Sequence, residues 1–277
     1  GDALTTGDEN IAIGKSALSS EDTGSKSIAI GVNALTAQAA GGINVYNVAI
    51  GHNAGLSVTT GVENILIGGL AGDAITTAQY NVAVGHSSLS GNVQGWKNVA
   101  IGQNTLKNMN PASPTDTYNV AVGYEAGELI TTGIQNTLIG GLAGDALTAG
   151  GNNVALGYKA LSSEDIGNGS VAIGAFALED QNSFASGIIL NTAVGYEAGK
   201  NITGGAGTGD ENTAIGGRSL DAETTGQENT AVGVEALGGQ TGANKNTGLG
   251  WRAGRAISTG SNLTLLGYNA QSSTGTV

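Results

Sequence analysis

NVAVGYEAGELITTG, residues 119–133, opens like a strand and is cut short by a glycine. Seventy-two residues earlier the chain reads NVAIGHNAGLSVTTG (47–61), and seventy-two later NTAVGYEAGKNITGG (191–205). Aligned on the opening pentapeptide, the 277-residue chain holds fifteen copies. They start at Asn10, Ser27, Asn47, Asn64, Asn81, Asn98, Asn119, Asn136, Asn153, Ser170, Asn191, Asn212, Asn229, Asn246 and Leu263. Ten of the fourteen spacings are 17 residues, one is 20 and three are 21. Periods of this length mark a solenoid, in which one repeat is one coil.

Each column of the alignment carries its own chemistry. Position two is Ile, Val or Thr, position three is mostly Ala, and position four is Val, Ile or Leu in every copy. Strand side chains alternate, so positions two and four share one face and position three points the other way. β-Branched residues suit a short strand, and this reading places positions two and four inside. Position three, mostly Ala with Leu66, Leu138 and Leu265, then forms a small, flat outward face that suits close approach of another chain. Position five is Gly every time, which predicts a corner needing positive φ or close backbone approach. Position one is Asn in twelve copies. Stacking makes these amides a ladder, each bonding the next rung or its own turn.

Beyond the corner the pattern splits. In eight copies the ninth residue is Leu (Leu18, Leu35, Leu89, Leu106, Leu161, Leu178, Leu220, Leu237), and the twelfth is then Glu, Gln or Asn, with Met109 the exception. In six copies the ninth is Gly, and the twelfth is then a large aliphatic: Val58, Ile75, Ile130, Leu147, Ile202 or Ile257. These are two ways to fill one slot, since a close-packed interior tolerates neither a void nor an extra side chain. Recurrent Gly and the lack of a sustained 3.6-residue period exclude a run of amphipathic helices. The expected fold is therefore all-β, a parallel β-solenoid (β-roll) of about fifteen 17–21-residue coils. A coil of about 56 Å contour leaves room for two short strands, and stacking gives a rod on the order of 70 Å.

Composition agrees. With 49 Gly against seven Tyr, two Phe and two Trp, the large side chains of a thick core are missing. The net charge of −12 repels nucleic acid and anionic lipid. No eighteen-residue apolar run predicts membrane insertion, and the absence of Cys removes thiolate chemistry and Cys-based zinc sites. GGLAGD (68–73 and 140–145) lacks the Lys-Ser/Thr of a phosphate loop. No cofactor or metal is expected. The array is read as a single one over 1–277. Residues 1–9, GDALTTGDE, match the second half of a unit and predict that a coil precedes them; 10–262 hold fourteen coils, and 263–277 a last partial coil.

The unit N-x-A-[IV]-G-x-x-A, as in NIAIGKSA (10–17) and NTAVGVEA (229–236), resembles the head repeats of trimeric autotransporter adhesins, which are parallel β-rolls assembled as trimers. The longer unit, with NTAVGYEAG and NTLIGGLAG, is more similar to repetitive shafts of tailed-bacteriophage tail fibres, and LTLLGYNAQSSTGTV (263–277) looks like the end of such an array. The resemblance implies a homotrimer, intertwined or side by side, working as a non-enzymatic fibre shaft on the virion tail, outside the cell. It also implies a contribution to host-surface glycan or receptor binding. The alternative it leaves is an adhesin head on a bacterial cell surface.

The sixth position, just past the corner, is rich in rings: His52, His86, Tyr124, Tyr158, Tyr196, Trp251 and Tyr268. Such a column can stack sugars on its faces and bond hydroxyls with its polar tips; equally, it can cover the corner or pack at a subunit seam. His52 and His86, two rungs or about 10 Å apart, are too far apart to share a metal. Four coils carry extra residues late in the repeat: 36–46, 107–118, 179–190 and 200–211. Insertions of this kind become loops on one side. The second, with Met109, Pro111 and Pro114, is the candidate contact loop, although such loops also serve to relieve twist. Acidic pairs such as Glu21–Asp22 and Glu164–Asp165 fall in turns and read as solvated rather than as a glycosidase pair. A depolymerase and an ice-binding solenoid are further rivals. The latter is suggested by Thr192, Thr213, Thr230, Thr247 and Thr264 in one column, which this reading places inside.

Overall fold

The computed structural model describes residues 1–183, 187–203 and 207–272. None of these is helical; three-residue strands, one at the head of each coil, build an all-β parallel solenoid of about fifteen coils. The coils fall into two units, Gly1–Gln135 and Asn136–Val277.

In the first unit β1 (Ile11–Ile13), β2 (Ile28–Ile30), β3 (Val48–Ile50), β4 (Ile65–Ile67), β5 (Val82–Val84), β7 (Val99–Ile101) and β9 (Val120–Val122) pair in that order, all parallel. A second parallel ladder joins β6 (Gly95–Trp96) to β8 (Thr115–Asp116). In the second unit β10 (Thr137–Ile139), β11 (Val154–Leu156), β12 (Val171–Ile173), β13 (Thr192–Val194), β14 (Thr213–Ile215), β15 (Thr230–Val232), β16 (Thr247–Leu249) and β17 (Thr264–Leu266) pair likewise. Each position stands on its own counterpart, as Ala83 on Ala100, so the sequence period is the register. Instead of the two strands per coil that the contour allows, most described coils have one. Elsewhere single backbone bonds tie the coils, such as Leu18 N–H to Ala34 C=O at 3.0 Å.

The coil closes through left-handed corners. In the coil that starts at Asn81 these are Gly85 (φ 137°), Ser87 (54°), Leu89 (50°) and Lys97 (62°). At Gly85 a Cβ would lie 2.4 Å from the carbonyl oxygen of Gly102 in the next coil, so both reasons expected for the corner glycine apply at once.

So many corners leave a narrow interior, and this reverses the predicted faces. Position three is buried throughout the described strands from β2 to β17, with Ala29, Leu66, Ala83, Leu138 and Ala231 at 0% exposure. Positions two and four point outward: Ile13 is 58% exposed, Ile101 40% and Leu266 71%. By alternation the buried Asn at position one shares its side with position three. The core therefore takes one methyl-sized residue per strand, plus Ala at position eight and the slot residues. A pair of β-branched side chains per strand would overfill it.

The slot itself is filled as the sequence implies. A Cβ on Gly72 would lie 2.7 Å from Leu66 and 2.8 Å from Ile75, both fully buried. In the neighbouring Leu-type coil, Leu89 occupies the space and Asn92 turns back on its own chain, bonding both the N–H (2.7 Å) and C=O (2.8 Å) of Gly95. The Asn ladder makes both expected bonds: Asn47 Oδ1 accepts Asn64 N–H at 2.9 Å, while Asn47 Nδ2 donates to Gly61 C=O at 2.8 Å.

Candidate functional site

Three features stand out. The first is the outward strand face. In the first unit its two columns are Ile or Val on every rung from Ile11 to Val122, in unbroken register. In the second unit position two is Thr137, Val154 and Val171, and then Thr from β13 onward. Thr192, Thr213, Thr230, Thr247 and Thr264 form one column, and it faces outward, contrary to the inside placement expected from sequence, because it shares the side of positions two and four.

The second feature is the ring column. His52, His86 and Tyr124 in the first unit, and Tyr158, Tyr196, Trp251 and Tyr268 in the second, all stand exposed past their corner glycines. His86 Nδ1 meets Ser87 Oγ at 3.1 Å. The Glu125 carboxylate, hydrogen-bonded to Tyr124, raises the phenol's pKa above its ordinary value. Trp251 makes two ring contacts: Tyr268 stacks on it at 4.8 Å and 11°, and the Arg252 guanidinium lies 4.1 Å from its centroid. Tyr158 and Tyr196 flank Phe176, one position further round the corner, which stands edge-on to both at 5.5 and 5.9 Å. Burial would raise the pKa of Glu197, but hydrogen bonds from Arg218 and from Tyr196 more than offset this and lower it; the Arg218 Nε–Glu197 Oε2 distance is 2.8 Å.

The third feature corrects the solvated reading of the turn acids. Glu21 and Glu164, with Glu223, are fully buried. Each fills the twelfth position of a Leu-type coil and is caged by backbone N–H groups. Glu223 Oε1 accepts Thr224 (2.9 Å), Thr225 (3.2 Å), Gly226 (2.7 Å) and Gly242 (2.6 Å). Each also takes a bond from a Gln one coil on: Gln38, Gln181 or Gln240. The charge sits in oriented amide dipoles. A Glu followed 17 residues later by a Gln, three times over, was the readable signal.

The candidate contact loop divides. Met109 is fully buried and fills its twelfth-residue slot, so it is not a surface contact; Pro111 is buried, and Pro114 is exposed. Parts of the insertions at 179–190 and 200–211, and the end of 263–277, lie outside the described residues. Among the described residues there is no pocket, no group of three or more His, Cys, Asp or Glu placed to hold a metal, and no helix long and apolar enough to cross a membrane. No protein-family model and no curated protein matches the chain.

Proposed function

We propose that the chain is a non-enzymatic structural shaft that self-associates into a homotrimer through the outward face of its strands, as part of a phage tail fibre or related virion appendage. One observation carries the reading: the two unbroken Ile/Val columns of the first unit. Seven rungs at about 4.8 Å and two columns wide present roughly 300–400 Å² of flat apolar surface, as much as a soluble monomer usually leaves open. A repeat that meets its own copy keeps such columns in step along their length. The trimer number and the fibre role come from the repeat's resemblance. An adhesin head on a bacterial surface is the alternative, and the flanking sequence separates them: a membrane anchor and coiled coil there, a cleavable chaperone domain here.

Sedimentation equilibrium tests the reading. The native chain should weigh three copies, and Ile67→Lys with Val84→Lys should yield single chains with an unchanged circular dichroism spectrum. A monomeric native chain ends the proposal. The outward Thr column favours a second reading, ice binding on that face, which requires the face to be free; thermal hysteresis of the native chain would support it.

A further inference from the structure

The group Tyr158–Phe176–Tyr196 lies outside the strands whose outward face is proposed for self-association. These three residues lie past the corner glycines on three consecutive coils of the second unit, whose strands pair directly. Tyr158 and Tyr196 are each about half exposed. Phe176 stands perpendicular to both, at 89° and 88°, and fills the gap between them. The row is flanked by ion pairs: Lys200 Nζ lies 5.4 Å from the Phe176 centroid and 3.2 Å from Glu179, and Arg218 Nε lies 2.8 Å from Glu197 beside Tyr196. Two tyrosines two rungs apart are spaced by about 10 Å, a distance set by the backbone ladder rather than by side-chain adjustment.

We propose that Tyr158 and Tyr196 form a platform for a linear β-1,4-linked glycan lying along the solenoid axis. In such a chain successive pyranose rings alternate, so every second ring turns the same apolar face to one side, at a repeat of about 10 Å that matches two rungs of a parallel solenoid. Aromatic rings take those faces, and the flanking Lys200–Glu179 and Arg218–Glu197 pairs offer donors and acceptors to the ring hydroxyls at the edges. An α-1,4-linked chain curls and loses this match. The balance of cations and anions beside the row suits a neutral backbone of hexose or N-acetylhexosamine units.

The test is calorimetric titration of the full chain with cellopentaose, chitopentaose and maltopentaose. Millimolar or tighter binding of at least one β-1,4 pentasaccharide, with none of maltopentaose, is expected. Tyr158→Ala and Tyr196→Ala should each weaken it by about tenfold or more. Tyr158→Phe should retain it, and Tyr46→Ala, an exposed tyrosine in the other unit, should leave it unchanged. Failure of both β-1,4 sugars to bind, equal binding of maltopentaose, or alanine variants that bind like the native chain would overturn the proposal. The mass of the assembly is read separately, so a monomer that binds sugar and a trimer that does not are distinct results.

Discussion

Gln240 Nε2 donates to Glu223 Oε2 at 2.8 Å across one coil, with both side chains fully buried. The same Gln accepts Asn246 Nδ2 at 2.8 Å, so a caged carboxylate is wired through an amide into the Asn ladder. Among the described residues no ion pair involves Glu223. Its charge therefore depends on aimed N–H groups, and those groups in turn depend on the charge. Glu223→Gln, which puts an NH₂ among donors, is expected to destabilise the chain by about 2–4 kcal/mol. Glu228→Gln, on an exposed carboxylate paired only with Lys245 at 3.5 Å, should cost less than about 1 kcal/mol. Urea denaturation of the two variants checks both.

Two glycines that look alike in sequence should behave oppositely. Gly85→Ala forces a side chain into a φ of 137° and against a carbonyl oxygen at 2.4 Å, and should cost about 3 kcal/mol or more. Gly217 follows a corner glycine, lacks a left-handed φ and has as its nearest neighbour the Tyr196 carbonyl oxygen at 3.8 Å. Gly217→Ala should be neutral or stabilise by up to about 1 kcal/mol, through the unfolded chain. Thermal melts of both variants decide it.

The solenoid was legible because the repeat is its own register: Gly corners in step leave no other pairing for the repeat strands within each unit. The orientation of the strands was not legible from hydrophobicity, which put Ile101 inside and Ala100 outside, whereas Ile101 is 40% exposed and Ala100 fully buried. Volume decides instead, since a coil bent at four left-handed corners has space for a methyl and not for two branched chains. The buried Asn column held the clue: Asn81 and Ala83 share parity, so a structural Asn ladder commits Ala to the interior and Val82 and Val84 to the surface. The ring column was visible at Tyr158 and Tyr196, but Phe176 was missed because it sits one position later, and only the coil brings it between them.

Slot filling predicts a rescue. Ile75→Ala should cost about 2–5 kcal/mol by opening a cavity, and Gly72→Leu about 1–3 kcal/mol or more by overpacking against Leu66 and Ile75. Combining Leu66→Ala, Gly72→Leu and Ile75→Asn copies the neighbouring coil, where Ala83, Leu89 and a self-satisfied Asn92 fill the same volume. The triple variant should be more stable than Gly72→Leu alone, a coupling measured by comparing denaturation midpoints with the single variants.

Burial raises the Asp73 carboxyl above its ordinary value, against the lowering effect of its own and the Ala74 backbone N–H and of nearby His86. Burial does the same to Asp221. A carboxyl whose folded-state pKa lies above its unfolded value, about 3.9, binds its proton more tightly in the folded chain. Stability then falls as pH rises from near the unfolded value through the folded one, and the ionised group is a standing cost at neutral pH. Asp73→Asn should therefore raise the melting temperature at pH 7. The gain should stay below about 1 kcal/mol because the side chain is part-exposed, and it should fade as pH falls through the folded and then the unfolded value, since the carboxyl is then protonated in both states. Melts of the native chain and the variant across that range measure it, and a gain that persisted in acid would assign the effect to packing rather than to charge.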